Sequence, residues 1–214
     1  MNLNTFTIAS LLAISVCATG QTETQINVTD QQGRKQGLWI KKYPNENIMY
    51  DGTFKDDHPV GEFKRYFENK SLKSLLIYSD DGRKANATFY HPNGNTSSKG
   101  IYIDQMKEGK WQFFSAFING YLISEEFYSK NLRNGPSLKF FPDSTVAERL
   151  IYLNDVKNGE WIRYYLNGAV LLKSNYKNGK INGRFEVWFE NGSIEFSGQY
   201  KNDSRDGQWI IYNN

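Results

Sequence analysis

The chain has 214 residues, of which 39% are hydrophobic and 15% aromatic, and 26 basic against 23 acidic side chains leave a formal charge of +3. That length allows one or two domains, and the apolar content excludes a disordered chain. The small charge imbalance, with no long Lys/Arg run, speaks against nucleic acid as a partner.

Residues 1–20 carry no charged side chain and contain an apolar run from Phe6 to Cys17. This pattern, with small residues Ala18, Thr19 and Gly20 after it, reads as a signal peptide and is too short for a comfortable membrane span. Cleavage near Gly20–Gln21 would release an exported product, periplasmic or extracellular. The stretch Ile14-Ser15-Val16-Cys17 also resembles a bacterial lipobox in part, so cleavage before Cys17 with lipidation there, anchoring the chain to a membrane, is the alternative. Cys17 is the single cysteine, so no internal disulfide is expected.

Residues 21–32 form a polar lead-in, and its end, from Asn27, looks like the trailing half of a repeat. From residue 33 to residue 214 the chain is periodic. Anchor positions fall at Gly37, Gly61, Ala85, Gly109, Gly135, Gly159, Gly183 and Gly207, spaced by 24 residues except for 26 between Gly109 and Gly135. Two positions after an anchor come Trp39, Phe63, Trp111, Trp161, Phe185 and Trp209, with Ala87 and Ser137 in the same place. Seventeen positions after it come Phe54, Tyr78, Tyr102, Tyr152, Tyr176 and Tyr200, and Tyr128 holds the place in the longer unit. The insertion there falls around Ser115-Ala116-Phe117-Ile118, in a turn, and should leave the strands intact.

Each unit reads as two strands. In the unit from Gly159 the first covers about Glu160 to Leu166 and the second about Ala169 to Tyr176. Asn167-Gly168 between them is a strong hairpin signal, because both residues tolerate positive φ. The segments Lys177-Asn178-Gly179 and Asn182-Gly183 should turn the chain into the next unit. Units without Gly at the hairpin, as at Pro44-Asn45-Glu46, Glu68-Asn69-Lys70 and Phe141-Pro142-Asp143-Ser144, should turn less tightly. The anchor glycine is expected where a Cβ would crowd the stacked neighbour or the turn. After residue 20 no segment repeats apolar residues at helical spacing. The fold expected is all-β: an elongated, twisted antiparallel meander of about 14 to 15 short strands built from hairpin repeats.

The pattern Gly159-x-Trp161-x-x-Tyr164-Tyr165-x-Asn167-Gly168, with Tyr176-x-Asn178-Gly179, resembles the bacterial variant of the MORN repeat. The likeness extends over about Gly33 to Tyr212. It implies a β-hairpin array with protein or lipid contact and no catalytic residues. Bacterial proteins of this kind often carry the label of YwqK-type toxin–antitoxin system antitoxin.

Candidate chemistry is sparse. His58 follows Asp56-Asp57 in a turn, where adjacent side chains cannot converge on one ion. His91 stands where sibling units place Tyr165 or Phe189, which gives it a structural, aromatic-like role. Paired carboxylates such as Glu125-Glu126 face opposite sides of a strand and make a poor acid–base pair. Asn202 to Gly207 faintly resembles the start of a calcium loop, but Asn213 stands where a bidentate Glu is needed. No catalytic, cofactor or metal site is expected, and the chain reads as a non-enzyme. The aromatic stripe reads as the stacked core of the array, with a recognition surface as its functional alternative. The expected partner is another protein met in the cell envelope. A membrane surface or a glycan is the second class of partner, and a toxin neutralised in antitoxin fashion the third. Export cleavage predicts a mature chain beginning at Gln21. Intact-mass measurement checks this, and a lipid-modified product beginning at Cys17 would replace it under the alternative.

Overall fold

The computed structural model describes residues 25–79 and 81–212. Residues 1–20, read from sequence as a signal peptide, Cys17 among them, and residues 21–24 of the lead-in lie outside the described residues. The described chain is all-β, without a helix. The strands are β1 (Val28–Thr29), β2 (Lys35–Lys42), β3 (Ile48–Lys55), β4 (His58–Tyr66), β5 (Leu72–Tyr78) and β6 (Lys84–Tyr90). Then come β7 (Thr96–Ile103), β8 (Met106–Phe114), β9 (Leu122–Ser129), β10 (Leu132–Phe140), β11 (Val146–Leu153) and β12 (Val156–Tyr164). The last are β13 (Val170–Lys177), β14 (Lys180–Ile181), β15 (Gly183–Trp188), β16 (Ile194–Lys201) and β17 (Ser204–Ile211).

Every pairing between strands is antiparallel and joins neighbours in sequence, apart from β13 with β15 across the short β14, so the sheet is one open meander from β1 to β17. The 17 strands exceed the expected number for two reasons. The lead-in supplies β1, which pairs Val28 with Gln36. One rung is split at Asn182 into β14 and β15, both of which pair with β13. The eight-residue hairpin strands themselves follow the repeat.

The turns between units differ from expectation. The β5–β6 turn is longer, closed by Ser79 with Lys84. The other six of the seven are two-residue turns with both central φ angles positive: Asp56-Asp57 (51° and 68°), Asp104-Gln105, Lys130-Asn131, Asn154-Asp155, Asn178-Gly179 and Asn202-Asp203. This is the hairpin geometry that matches strand twist. The turns within units are three-residue turns that end in a left-handed residue. Glu46, Lys70 and Ser144 adopt φ of 65°, 73° and 73° there, with the same closing hydrogen bonds as Gly94 and Gly168. The units without Gly therefore turn just as tightly. In units with and without Gly alike, an Asn or Asp one residue earlier accepts from the backbone two residues on, as Asn45 does from Asn47, Asp143 from Thr145 and Asn167 from Ala169.

The anchor glycine also has a different reason from the one expected. It lies inside a strand, except for Gly183 at the start of β15, and the inter-unit ladder slips beside it, as between Gly52 and Thr53 opposite Gly61. At Gly37, Gly61, Gly109, Gly183 and Gly207 a Cβ would meet nothing within 4 Å, while φ lies between +64° and +96°. The demand is for a left-handed bulge residue. Crowding is present at Gly135 and Gly159, where a Cβ would come within 3.2 Å of Phe127 and 3.1 Å of Ile151. Ala85 has no positive φ, and the β5–β6 ladder beside it runs without a slip.

The insertion between β8 and β9 leaves the strands intact. Gly109 still pairs with Tyr128 and Trp111 with Glu126. Ser115 Oγ accepts from the amides of Phe117 and Ile118 and closes the longer loop.

Cross-strand register places one long row of side chains on one face. Trp39 is opposite Gly52, Gly52 opposite Phe63, Phe63 opposite Leu76, Leu76 opposite Ala87, and Ala87 opposite Gly100. Beyond Gly100 the row continues through Trp111, Glu126, Ser137, Leu150, Trp161 and Ser174. It ends at Phe185, Gly198 and Trp209. The rings of Phe63, Trp111 and Trp209 lie on Gly52, Gly100 and Gly198, where a Cβ would fall inside the ring. Where the ring is missing, at Ala87 and Ser137, the partners are the larger Leu76 and Glu126. Elsewhere the row is uneven: Ala87 also faces Gly100, and Phe63 faces Leu76. Trp111 is only 1% exposed although no second layer covers the described sheet. Trp111→Ala should therefore lower stability by about 3–5 kcal/mol in denaturant titration. Phe117→Ala, at a loop side chain 96% exposed, should leave the midpoint unchanged.

Candidate functional site

All six predicted ring positions two after the anchor, Trp39, Phe63, Trp111, Trp161, Phe185 and Trp209, stand in that single row. The positions seventeen after the anchor form a parallel row on the same face, each opposite its own anchor: Phe54 opposite Gly37, Tyr78 opposite Gly61, Tyr102 opposite Ala85 and Tyr128 opposite Gly109. Tyr152, Tyr176 and Tyr200 continue it opposite Gly135, Gly159 and Gly183. The two rows touch edge to face. Trp39 meets Phe54 at 6.2 Å, Tyr102 meets Trp111 at 5.0 Å, Phe185 meets Tyr200 at 5.1 Å and Tyr200 meets Trp209 at 5.2 Å. Such pairs add about 0.5–1.5 kcal/mol beyond their buried area.

Ring-to-ring contact is nevertheless interrupted twice among the described residues. It runs from Trp39 through Phe63 to Tyr78, resumes at Phe89 and Tyr102 through Trp111 to Tyr128, and resumes again at Trp161. The breaks fall at Ala87 and Ser137. The second is filled by polar groups: Tyr128 Oη donates to Glu126 at 2.5 Å, and the Arg133 guanidinium lies 4.0 Å from the Tyr152 ring centre. Burial, then the bond to Glu126, pushes the Tyr128 hydroxyl well above the usual tyrosine range.

The structure also shows a feature not read from the repeat. The residue two before each anchor is Lys35, Arg83, Lys107, Arg133, Lys157 or Arg205, with Pro59 and Ile181 as exceptions. Five of these cations lie over rings of the ladder. Lys35 is 4.8 Å from both Trp39 and Phe54, and Lys107 is 4.7 Å from Trp111. Arg133, Lys157 and Arg205 lie over Tyr152, Tyr176 and Trp209. The ring face attracts each cation and its alkyl stem shields the ring from water. Burial pulls the Lys107 ammonium below the usual lysine range, partly opposed by Glu126. The signal was present as a recurring basic residue at constant phase. The sixth cation, Arg83, pairs through two nitrogens with Asp104 at 2.8 Å instead.

A second unread feature joins the turns. Backbone amides in the turns donate to the carbonyl two before the preceding anchor: Asp57 to Lys35, Asn131 to Lys107, Asp155 to Arg133, Gly179 to Lys157 and Asp203 to Ile181. Asp57, Asn131, Asp155 and Asp203 accept the reciprocal amide through their side chains. At the other end of the hairpins, Tyr43, Tyr121 and Tyr165 hydroxyls donate to the carbonyls of Tyr66, Phe140 and Trp188. The His91 ring nitrogen lies 3.2 Å from the Phe114 carbonyl and takes the same role. His91 is thus a stand-in for tyrosine.

The opposite face carries ion pairs between neighbouring strands, such as Lys110 with Glu125 and both Arg149 and Lys173 with Glu160. No group of metal-ligating side chains forms among the described residues. In the calcium-like segment, Asp203 Oδ1 already accepts from the Ile181 amide. Cys17, the lipidation candidate, lies outside the described residues.

These features define an open, single-layer β-hairpin repeat array whose face is a cation-backed aromatic ladder. Four segments match the MORN repeat variant: residues 35–56, 59–80, 157–178 and 181–202. The unmatched interval holds the unit at Ala85, the lengthened unit at Gly109 and the unit at Gly135. No curated protein matches the chain. Among solved structures, the crystal structure of TarM is similar over 45% of this chain and 19% of that chain, with 12% identity and a TM-score of 0.34.

Several turn carboxylates sit below the usual range. Hydrogen bonds from Arg83 hold Asp104 there, those from Arg133 hold Asp155, and those from Thr145 hold Asp143. A carboxylate with a depressed folded value stabilises the fold above its unfolded value of about 3.9, and that contribution is lost as pH falls through the folded value. The thermal midpoint should therefore be flat from neutral pH to about 5 and fall below about 4. The variant Asp104→Asn/Asp155→Asn should show a shallower acid limb.

Proposed function

We propose that the protein is a non-enzymatic, exported repeat protein that presents its extended β surface to another protein in the cell envelope. The observation that carries this reading is the last rung. Among the described residues β17 pairs only with β16, and Ile211 and Ile210 on it are 79% and 50% exposed, beside an exposed Tyr212. An unpaired edge bearing apolar side chains invites a strand from a partner, with main-chain bonds giving affinity and side-chain pockets giving selectivity. The single-layer sheet adds two uncovered faces, one aromatic and cationic, the other laced with ion pairs. The charge-free N-terminal segment supports export, with Cys17 as the anchor in the lipidated variant. The repetitive array reads as a scaffold. Membrane or glycan association, for which the aromatic and cationic face speaks, and toxin neutralisation are the alternative readings.

Capture from an envelope extract tests the proposal. The full chain should retain a specific partner, and Ile210→Lys/Ile211→Lys should lose it at least tenfold with an unchanged thermal midpoint. Equal capture by that variant, or no specific partner from intact or detergent-treated envelopes, would overturn the reading.

A further inference from the structure

The first break in the ring ladder is an open cleft. Ala87 replaces the ring that other units place there, and no ring contact links Tyr78 to Phe89 or Tyr102 among the described residues. The interval is a cleft of about 250 Å³ lined by Arg65, Ser74, Leu76, Tyr78, Phe89 and Tyr102. An apolar cavity of about 150 Å³ holds a benzene, and drug-sized sites begin near 300 Å³. The space thus suits one or two fused rings between aromatic walls.

One buried polar group in the cleft lacks a partner, and one cation there lacks a counter-ion. Ser74 is 1% exposed, and its Oγ has no hydrogen-bond partner. Ser174, equally buried at 1%, gives its hydroxyl to the Arg184 carbonyl at 3.1 Å. An orphaned buried hydroxyl costs stability unless something meets it. Arg65 lies directly opposite Ser74 across the β4–β5 ladder. No carboxylate among the described residues pairs with Arg65, whereas Arg83 on the same cleft is taken by Asp104. Register therefore sets a guanidinium that has no carboxylate partner and rests only over the Phe63 ring, 5.7 Å from its centre, beside a free hydroxyl at the margin of an aromatic slot.

We propose that this cleft binds a planar aromatic ring carrying a carboxylate. The ring stacks among Tyr78, Phe89 and Tyr102; Ala87 is itself buried below the cleft lining and carries no ring to fill it. The carboxylate accepts from the Arg65 guanidinium and the Ser74 hydroxyl, a charge-assisted pair. Its source is either a free aryl acid or the C-terminal aromatic residue of a peptide. The site lies far along the sheet from β17 and does not depend on the edge reading.

The test is calorimetric titration of the full chain with indole-3-acetate, indole-3-acetamide, cyclohexylacetate and a tripeptide ending in Trp with its C-terminus free or amidated. Saturable binding is expected for indole-3-acetate or the free-acid peptide, and the tighter of the two identifies the source. Arg65→Gln and Ser74→Ala should each weaken it about tenfold at an unchanged thermal midpoint, and indole-3-acetamide should bind about as weakly to the parent chain. Ala87→Trp, which restores the ring of the sibling units, should abolish binding. Absence of saturable binding by every probe would overturn the proposal. So would affinity unaffected by Arg65→Gln and Ser74→Ala, or cyclohexylacetate binding as tightly as indole-3-acetate.

Discussion

Everything in this sheet depends on aromatic rings lying flat on glycines of the neighbouring strand. A single layer has no second sheet to supply a core, so burial must be made within one face. Gly52, Gly100 and Gly198 give up their side-chain volume so that Phe63, Trp111 and Trp209 can lie across the backbone. Adjacent rings then close over them, with a cation two before the anchor over Trp111 and Trp209 and Arg65 over Phe63. Lys107 is the clearest case, reaching Trp111, Phe113 and Tyr128 at once. The left-handed anchor glycine serves the same end. It slips the ladder between units and so sets the registration in which ring and glycine meet.

The remaining strength is local and repetitive. Two-residue turns stack on the turns of the preceding unit, and tyrosine hydroxyls cap the hairpin ends. Each bond is individually modest, but the array repeats it, and nearest-neighbour interfaces add along a linear repeat. This is why the third unit can lose both its anchor glycine and its ring. Ala85 removes the bulge, Ala87 removes the ring, and Leu76 takes up part of the volume while Tyr102 and Trp111 still cover their neighbours.

Much of this was legible in the sequence because the signal is periodic. The 24-residue spacing of Gly, Trp or Phe, and Tyr gave the hairpins, their order and the two aligned ring rows. The position of the insertion followed from the same phase. The turns were harder. Asn167-Gly168 looks like the tightest hairpin, yet the two-residue turns occupy pairs such as Asp56-Asp57 and Lys130-Asn131. Those pairs lack glycine and are held by contacts with a unit about 22 residues away, which a local reading does not contain. The glycines under the rings were missed because only three of the units have them. The open cleft was invisible because Ser74 and Arg65 become neighbours only through pairing register.

The two interruptions of the ladder also partition the molecule. At Ala87 and Ser137 the ring-to-ring coupling stops while the backbone ladder continues. The array is then three aromatic blocks joined by softer seams, one open and one polar. Blocks of that kind open as separate cooperative units, so strain or local melting arriving at one seam need not propagate beyond it. A rod of this construction bends at defined joints, and the joint at the third unit is also the place where an outside ring would stiffen it.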